Sequence, residues 1–231
     1  MRIYTDYLEM AKEVERDLFE MGIHVQSGTV QDKNVEGDEN FKTVELNGYS
    51  YKLVGYNNMK KMLNHFDLPL AWVEKEFIER ISPELINPGE AYKEREKYWE
   101  PFLHNEEFEY TYNERIRDQI PYVISELYKF PNTRQAVITI YDQHKDMRNF
   151  GGKARVPCSM YYQFFLRNNQ LHMMYTMRSC DFLKHFPTDV LLAVKLNECI
   201  ARKLEVEVGT FTHFIGSLHA FYVDMKSRGI F

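Results

Sequence analysis

The chain has 231 residues, 44% of them hydrophobic, with 29 Lys and Arg against 34 Asp and Glu, a formal net charge of −5. That size and apolar content suit one globular domain over residues 1–231. The absence of a long basic run argues against a nucleic acid polymer as partner, and no apolar run approaches the roughly 20 residues that span a bilayer.

Three cysteines, Cys158, Cys180 and Cys199, form no C-x-x-C pair and follow no signal peptide, so a soluble chain in a reducing cytosol is expected. From Ile3 to Phe19 apolar residues recur every three to four positions, which predicts an amphipathic helix ending near Gly22. "QDKNVEGDENF" reads as a mobile loop. "KTVEL" alternates as a half-buried strand does, and Asn47-Gly48 permits a tight turn or bulge. Ala71 to Ile81 has helical spacing with Val73, Phe77 and Ile81 on one face and Glu76 beside it, and Pro83 closes it.

"INPGEAYKEREKYW" reads as a charged loop up to Tyr98 and Trp99, and the period of "FEYTYNERI" is left open. Helical spacing returns from Ile116 to Leu127, and "QAVITIY" reads as a fully buried strand because it is short, β-branched and uninterrupted. "CSMYYQFFL" and "LHMMYTM" form a predicted hairpin with positive φ available at Asn168-Asn169. Thr188 to Leu204 is predicted helical, with Leu192, Leu196 and Cys199 or Ile200 buried, and "GTFTHFIGSLHAFYV" supplies a last strand. No internal repeat appears, so the expectation is an α/β (α+β) domain, a mixed sheet flanked by helices.

Cys158 alone reads as either a small core hydrophobe or a nucleophile. Arg178 ends a strand expected to pair with the Cys158 strand, which would set a cation near the sulfur and lower its pKa. Arg178, Ser179 and Arg134 could bind an anion or serve as surface charges. Asp189, at the start of a helix, could simply satisfy free backbone N–H groups, and Glu76 could belong to a solvated face. The histidines have no H-E-x-x-H or paired ligand spacing, so no metal site is expected, and glycine-rich phosphate loops and G-x-S-x-G are absent.

Together "PCSMYYQF", "RSCDFLKHFPTD" and "GTFTHFIGSLHAF" resemble, in order and spacing, the signature of the thymidylate synthase family, and the chain looks nearer to its deoxycytidylate hydroxymethylase branch. "KTVEL" with Gly48, "WVEKEFIER", "PGE", Tyr98-Trp99 and "GSLH" extend that resemblance over most of the chain. It implies a thymidylate synthase-like fold and a homodimer in which Arg134 crosses to the partner's nucleotide phosphate. It further implies a pyrimidine nucleoside monophosphate substrate and 5,10-methylenetetrahydrofolate as one-carbon donor.

By the same resemblance Cys158 is the nucleophile that adds to C6 of the pyrimidine, activating C5 towards a one-carbon electrophile. Arg178 and Ser179 hold the phosphate, Gln163 and Asp181 belong to the nucleotide pocket, and His219 contacts a sugar hydroxyl. Glu76 orders water and moves protons, Tyr112 and Trp99 lie near the reacting ring and folate, and Asp181 also reaches the folate side.

Asp189 stands where a uracil-reading synthase has asparagine. A carboxyl that shares a proton with N3 and accepts from the C4 amine fits cytosine, so the resemblance implies dCMP or CMP and capture by water to give the 5-hydroxymethyl nucleotide. The rivals are a dUMP hydroxymethylase, a thymidylate synthase and a non-catalytic nucleotide-binding dimer. Ser159 replaces a family histidine, Gln135 a second arginine, and Phe221 a tyrosine that touches the 3′-hydroxyl, which leaves ribose and deoxyribose both open. This sequence ends at Phe231, before the tail that covers folate in synthases, so closure is expected to differ.

Overall fold

The computed structural model describes residues 1–30, 33–147 and 155–230. Among them a seven-stranded mixed sheet organises the molecule. Its strands are β1 (Arg2–Asp6), β2 (Ile23–Gln26), β5 (Lys42–Asn57), β6 (Val137–Thr139), β7 (Ser159–Arg167), β8 (Gln170–Asp181) and β9 (Glu207–Phe221), in the order β1-β5-β9-β8-β7-β6 with β2 also on β5. A separate ribbon pairs β3 (Thr29–Val30) with β4 (Lys33–Asn34).

The β1–β5 and β8–β9 pairs are parallel and the others antiparallel. One sheet face carries Tyr51, Leu53, Phe164, Met173, Tyr175 and Ile215 into the core, where helices α1 (Tyr7–Met21) and α8 (Phe186–Lys203) cover it. Leu192, Leu196 and Ile200 supply the buried stripe of α8, and Cys199 is only half-buried.

The remaining helices are α2 (Met59–His65), α3 (Leu70–Ile81), α4 (Glu96–Trp99), α5 (Tyr112–Ile116), α6 (Ile120–Lys129), α7 (Gln143–Asp146) and α9 (Tyr222–Ser227). The predicted hairpin is present: Asn168 and Asn169 adopt φ of 50° and 59° between β7 and β8, the left-handed conformation that asparagine tolerates best among ordinary residues.

Several expectations change. The first helix begins at Tyr7, because the Asp6 carboxylate caps Leu8 N and Glu9 N while residues 2–6 join the sheet beside β5. Asn47-Gly48 is no hairpin turn; it lies inside β5, where Gly48 has φ of 69°. The polar stretch after Val30 contains β4 and a 3-10 turn over Glu39–Phe41, with Gln31 and Asp32 outside the described residues, as is Phe231.

The charged segment before Tyr98 forms a 3-10 helix, Ala91–Arg95, that runs into α4. The last five residues of "FEYTYNERI" form α5, started by a capping box between Thr111 and Glu114, and helical structure resumes separately at α6. "QAVITIY" is not a fully buried strand: Ala136, Ile138 and Ile140 face inward and Thr139 outward, and among the described residues it pairs with β7 alone, at the sheet edge.

Asn113 fixes the α3 end against α5. Only 2% exposed, it accepts from Ile86 N at 2.9 Å and donates to Glu79 O and Ser82 O at 2.9 and 3.0 Å. Asn113→Ala is expected to cost about 2 kcal/mol by leaving buried backbone groups unpaired. A denaturant midpoint equal to wild type would refute that assignment.

Candidate active site

A cavity of about 650 Å³ opens where the C-terminal ends of β8 and β9 meet α3, the 98–112 segment and the start of α8. Its volume is typical of a small-molecule site. Cys158, Glu76, Asp189, Tyr112, Arg178, Ser179, Asp181, His219 and Trp99 all line it. They come from stretches far apart in the chain, so the sheet's topology rather than local sequence brings them together.

Cys158 immediately precedes β7 and is half-buried, opening into the cavity. A register shift between Ser159 and Tyr161 marks a bulge beside it, a device that re-aims side chains at strand ends. Arg178 N donates to Cys158 O at 2.8 Å, and its guanidinium donates to Pro157 O and Val156 O, both at 2.9 Å. Those bonds leave Arg178 Nη2 3.9 Å from Sγ. Gly216 lets β9 lie close against the Arg178 backbone, since a Cβ there would stand 2.6 Å from Arg178 O.

The expected cation is therefore beside the sulfur, but its net effect differs from the expectation. Burial pushes the Cys158 thiol above its ordinary range, and the pull of Arg178 and Arg155 in the other direction is too weak to reverse it. The carboxyls of Asp189 and Asp181 add to the upward shift.

Asp189 is the fourth residue of α8 and does not cap it; among the described residues its carboxyl accepts no hydrogen bond. Burial pushes it up to about 7, against the lowering influence of Arg80 and Arg95, with Glu76 adding to the rise. Asp181 is also raised to about 7, first by burial and then by Asp224, although it accepts from Leu183 N and Lys184 N. His219 is pushed down to about 4 by burial, and its Nδ1 lies 3.5 Å from Ser179 Oγ. An acid near 7 can hold or release a proton at neutral pH.

Glu76 pairs with Arg80, Nε to Oε1 at 3.0 Å, one helical turn along α3. Arg80 is 6% exposed and its guanidinium sits 3.9 Å from the Tyr112 ring centroid. Sequence reading overlooked this arginine, although the E-x-x-x-R spacing of "EFIER" was a visible signal. Arg155 was overlooked too. Three residues before Cys158, it lies 5.0 Å from the Phe102 and Tyr110 centroids and 5.3 Å from that of Trp99.

Trp99 stacks on Trp72 with centroids 6.4 Å apart and an interplanar angle of 14°, and Phe102 and Phe108 meet it edge-on. This aromatic wall suits a flat heterocycle. Tyr98 Oη and His185 Nε2, 2.5 Å apart, line the cavity beside it.

Two sequence candidates lie elsewhere. Gln163 alternates with the buried Tyr162 and Phe164 of β7, so it lies on the other sheet face, where Nε2 donates to Arg134 O at 2.9 Å. It is not among the cavity residues. Arg134 is exposed and also outside the cavity of its own chain. Among the described residues no cluster of His, Cys, Asp and Glu could hold a metal ion.

Residues 57–227 match the family profile described as thymidylate synthase. A provisionally named thymidylate synthase of Methanocaldococcus jannaschii is 35% identical over 122 residues, 52% of this chain and 54% of that protein. Another, of Methanosarcina barkeri, is 28% identical over 214 residues, 90% of this chain and 94% of its own length. The bifunctional dihydrofolate reductase-thymidylate synthase of Paramecium tetraurelia is 27% identical over 110 residues, 48% of this chain and 23% of that protein.

Proposed function

The chain belongs to the thymidylate synthase family, and on that footing we propose that it transfers a one-carbon unit from methylenetetrahydrofolate to C5 of a cytidylate, giving the 5-hydroxymethyl nucleotide. The observation that carries the choice of base is Asp189: a carboxyl in the cavity with Cys158, free of hydrogen bonds to its own helix and held near 7 by burial. A protonated carboxyl donates to the cytosine N3 lone pair while its other oxygen accepts from the C4 amine. Uracil offers N3–H and a carbonyl instead, and that carbonyl would oppose an oxygen of the ionised carboxyl, whereas cytosine shares the proton through N3 and keeps both contacts.

In this reading the Cys158 sulfur adds to C6, and Asp189 supplies the proton that N3 gains as charge builds on the ring. Folate supplies the one-carbon unit at the formaldehyde level of oxidation, and the aromatic wall around Trp99 is suited to its pterin. Glu76, anchored by Arg80, accepts the proton of the water that completes the 5-hydroxymethyl group. Arg178 supplies positive charge and Ser179 a hydroxyl donor for the phosphate.

Homodimerisation belongs to the same proposal. The outward sheet face, with Tyr161, Gln163 and Phe165, is half-buried rather than covered by a helix, and Arg134 stands on that side, away from its own cavity.

The competing reading is thymidylate synthase, with dUMP as substrate and reductive methylation, and the names of the relatives favour it. Purified protein given methylenetetrahydrofolate and dCMP, CMP or dUMP separates the two by product mass. A mass gain matching a hydroxymethyl group on dCMP or CMP is expected; methylation of dUMP alone would overturn the cytidylate reading.

A further inference from the structure

Behind Cys158, on the protein side of the cavity, hydroxyl groups follow one another in a row. Tyr112 Oη lies 3.0 Å from Ser159 Oγ, and Ser159 Oγ lies 2.5 Å from Tyr175 Oη. Behind Tyr175 the Tyr162 ring packs 4.7 Å away, centroid to centroid. Ser159 and Tyr175 are fully buried, whereas Tyr112 at the end of the row lines the cavity.

The donor inventory gives this row a direction. Tyr175 is fully buried with Ser159 Oγ as its hydrogen-bond partner, and leaving its proton unbonded in the core would cost about 1–3 kcal/mol. Tyr175 therefore donates to Ser159, and the single Ser159 proton is left for Tyr112. Both bonds run from the core towards the cavity, so the Tyr112 oxygen receives a hydrogen bond and its own proton has no acceptor among the described residues.

We infer that Ser159 is a positioning residue, oriented by Tyr175, that holds Tyr112 with its hydroxyl proton turned towards an acceptor atom of the bound nucleotide. This rests on the nucleotide reading of the cavity given above. When that proton passes to the substrate, the O–H electron pair stays on Oη, where the Ser159 hydroxyl stabilises it. Such help is needed, because burial otherwise pushes the Tyr112 phenol well above its ordinary range, with the neighbouring Tyr110 and Asp189 adding to the shift and Arg80 opposing it. Tyr175 lies outside the cavity and makes no hydrogen bond to Tyr112 among the described residues; Ser159 bonds to both and links them.

The test uses the full chain with Ser159→Ala, Ser159→Thr and Tyr175→Phe. Against whichever pyrimidine nucleotide the wild type converts, kcat is expected to fall about 10- to 100-fold in Ser159→Ala and about 10-fold in Tyr175→Phe, with KM within about twofold. Ser159→Thr, which keeps a hydroxyl, restores most of the rate. With tyrosine labelled at Cζ, the Tyr112 carbon resonance, assigned by Tyr112→Phe, is expected to shift in both Ser159→Ala and Tyr175→Phe. Wild-type kcat in Ser159→Ala, an unmoved Tyr112 resonance in Tyr175→Phe, or losses that track a lowered unfolding temperature in all three variants overturns the inference. A wild type inactive on every nucleotide defeats the proposed reaction, while the Tyr112 resonance still decides the hydrogen-bond row.

Discussion

Cys158→Ala is expected to lower turnover roughly 10³-fold or more while nucleotide affinity stays near wild type, because the thiol forms the bond that activates C5 and adds little to binding. The loss is read as product mass and as release of tritium from C5 of the substrate. Turnover close to wild type would remove the covalent mechanism.

The protonation state of this thiol gives a second handle on the same result. Burial outweighs Arg178, so the thiolate fraction, and with it alkylation by iodoacetamide, should still be climbing beyond the pH at which an ordinary cysteine levels off. Arg178→Met removes the cation 3.9 Å from Sγ and should carry the profile further upward. A profile that moves down in that variant contradicts the assignment of Arg178 as the opposing charge.

Asp189→Asn is expected to reverse base preference, changing the ratio of kcat/KM for dCMP over dUMP by roughly 10³-fold. Asparagine presents a permanent donor and a permanent acceptor, which suits N3–H and O4 of uracil, whereas cytosine would leave a buried polar group unpaired.

The wild-type pH dependence follows from the raised carboxyl. With Asp189 near 7 in the free protein and one proton shared with N3 in the complex, cytidylate binding takes up a proton above that pH. Affinity should therefore be flat below about 7 and fall roughly tenfold per unit above it, and Asp189→Asn should abolish that slope. Isothermal calorimetry in buffers of different ionisation heat measures the proton directly. Unchanged preference and an unchanged slope in the variant would refute the role of Asp189.

Much of the fold could be read from local pattern. The helices around α3, α6 and α8 announced themselves by three- and four-residue apolar spacing, and the β7–β8 hairpin by Asn168-Asn169 between two apolar runs. The errors fell where neighbours overrule pattern. Residues 2–6 carry helical spacing but pair with β5, and β6 has the composition of a buried strand but lies at the sheet edge. Gln163 sits in the same strand as Tyr162 and Phe164, and the two-residue alternation that buries them turns it away from the cavity.

By itself the sequence determined the chemical inventory: a thiol, an arginine two residues before a cysteine and three before an aspartate, a second aspartate eight residues beyond that, and the glutamate and histidine at the other positions that match the family signature. Residue identity and order are local properties, and they are what a family resemblance reads. Only the tertiary structure decided how these groups act on one another. Burial and Coulomb forces depend on distances through space, so neither the upward shift of the Cys158 thiol, nor the anchoring of Glu76 by Arg80, nor the direction of the row from Tyr175 to Tyr112 can be read from separation along the chain.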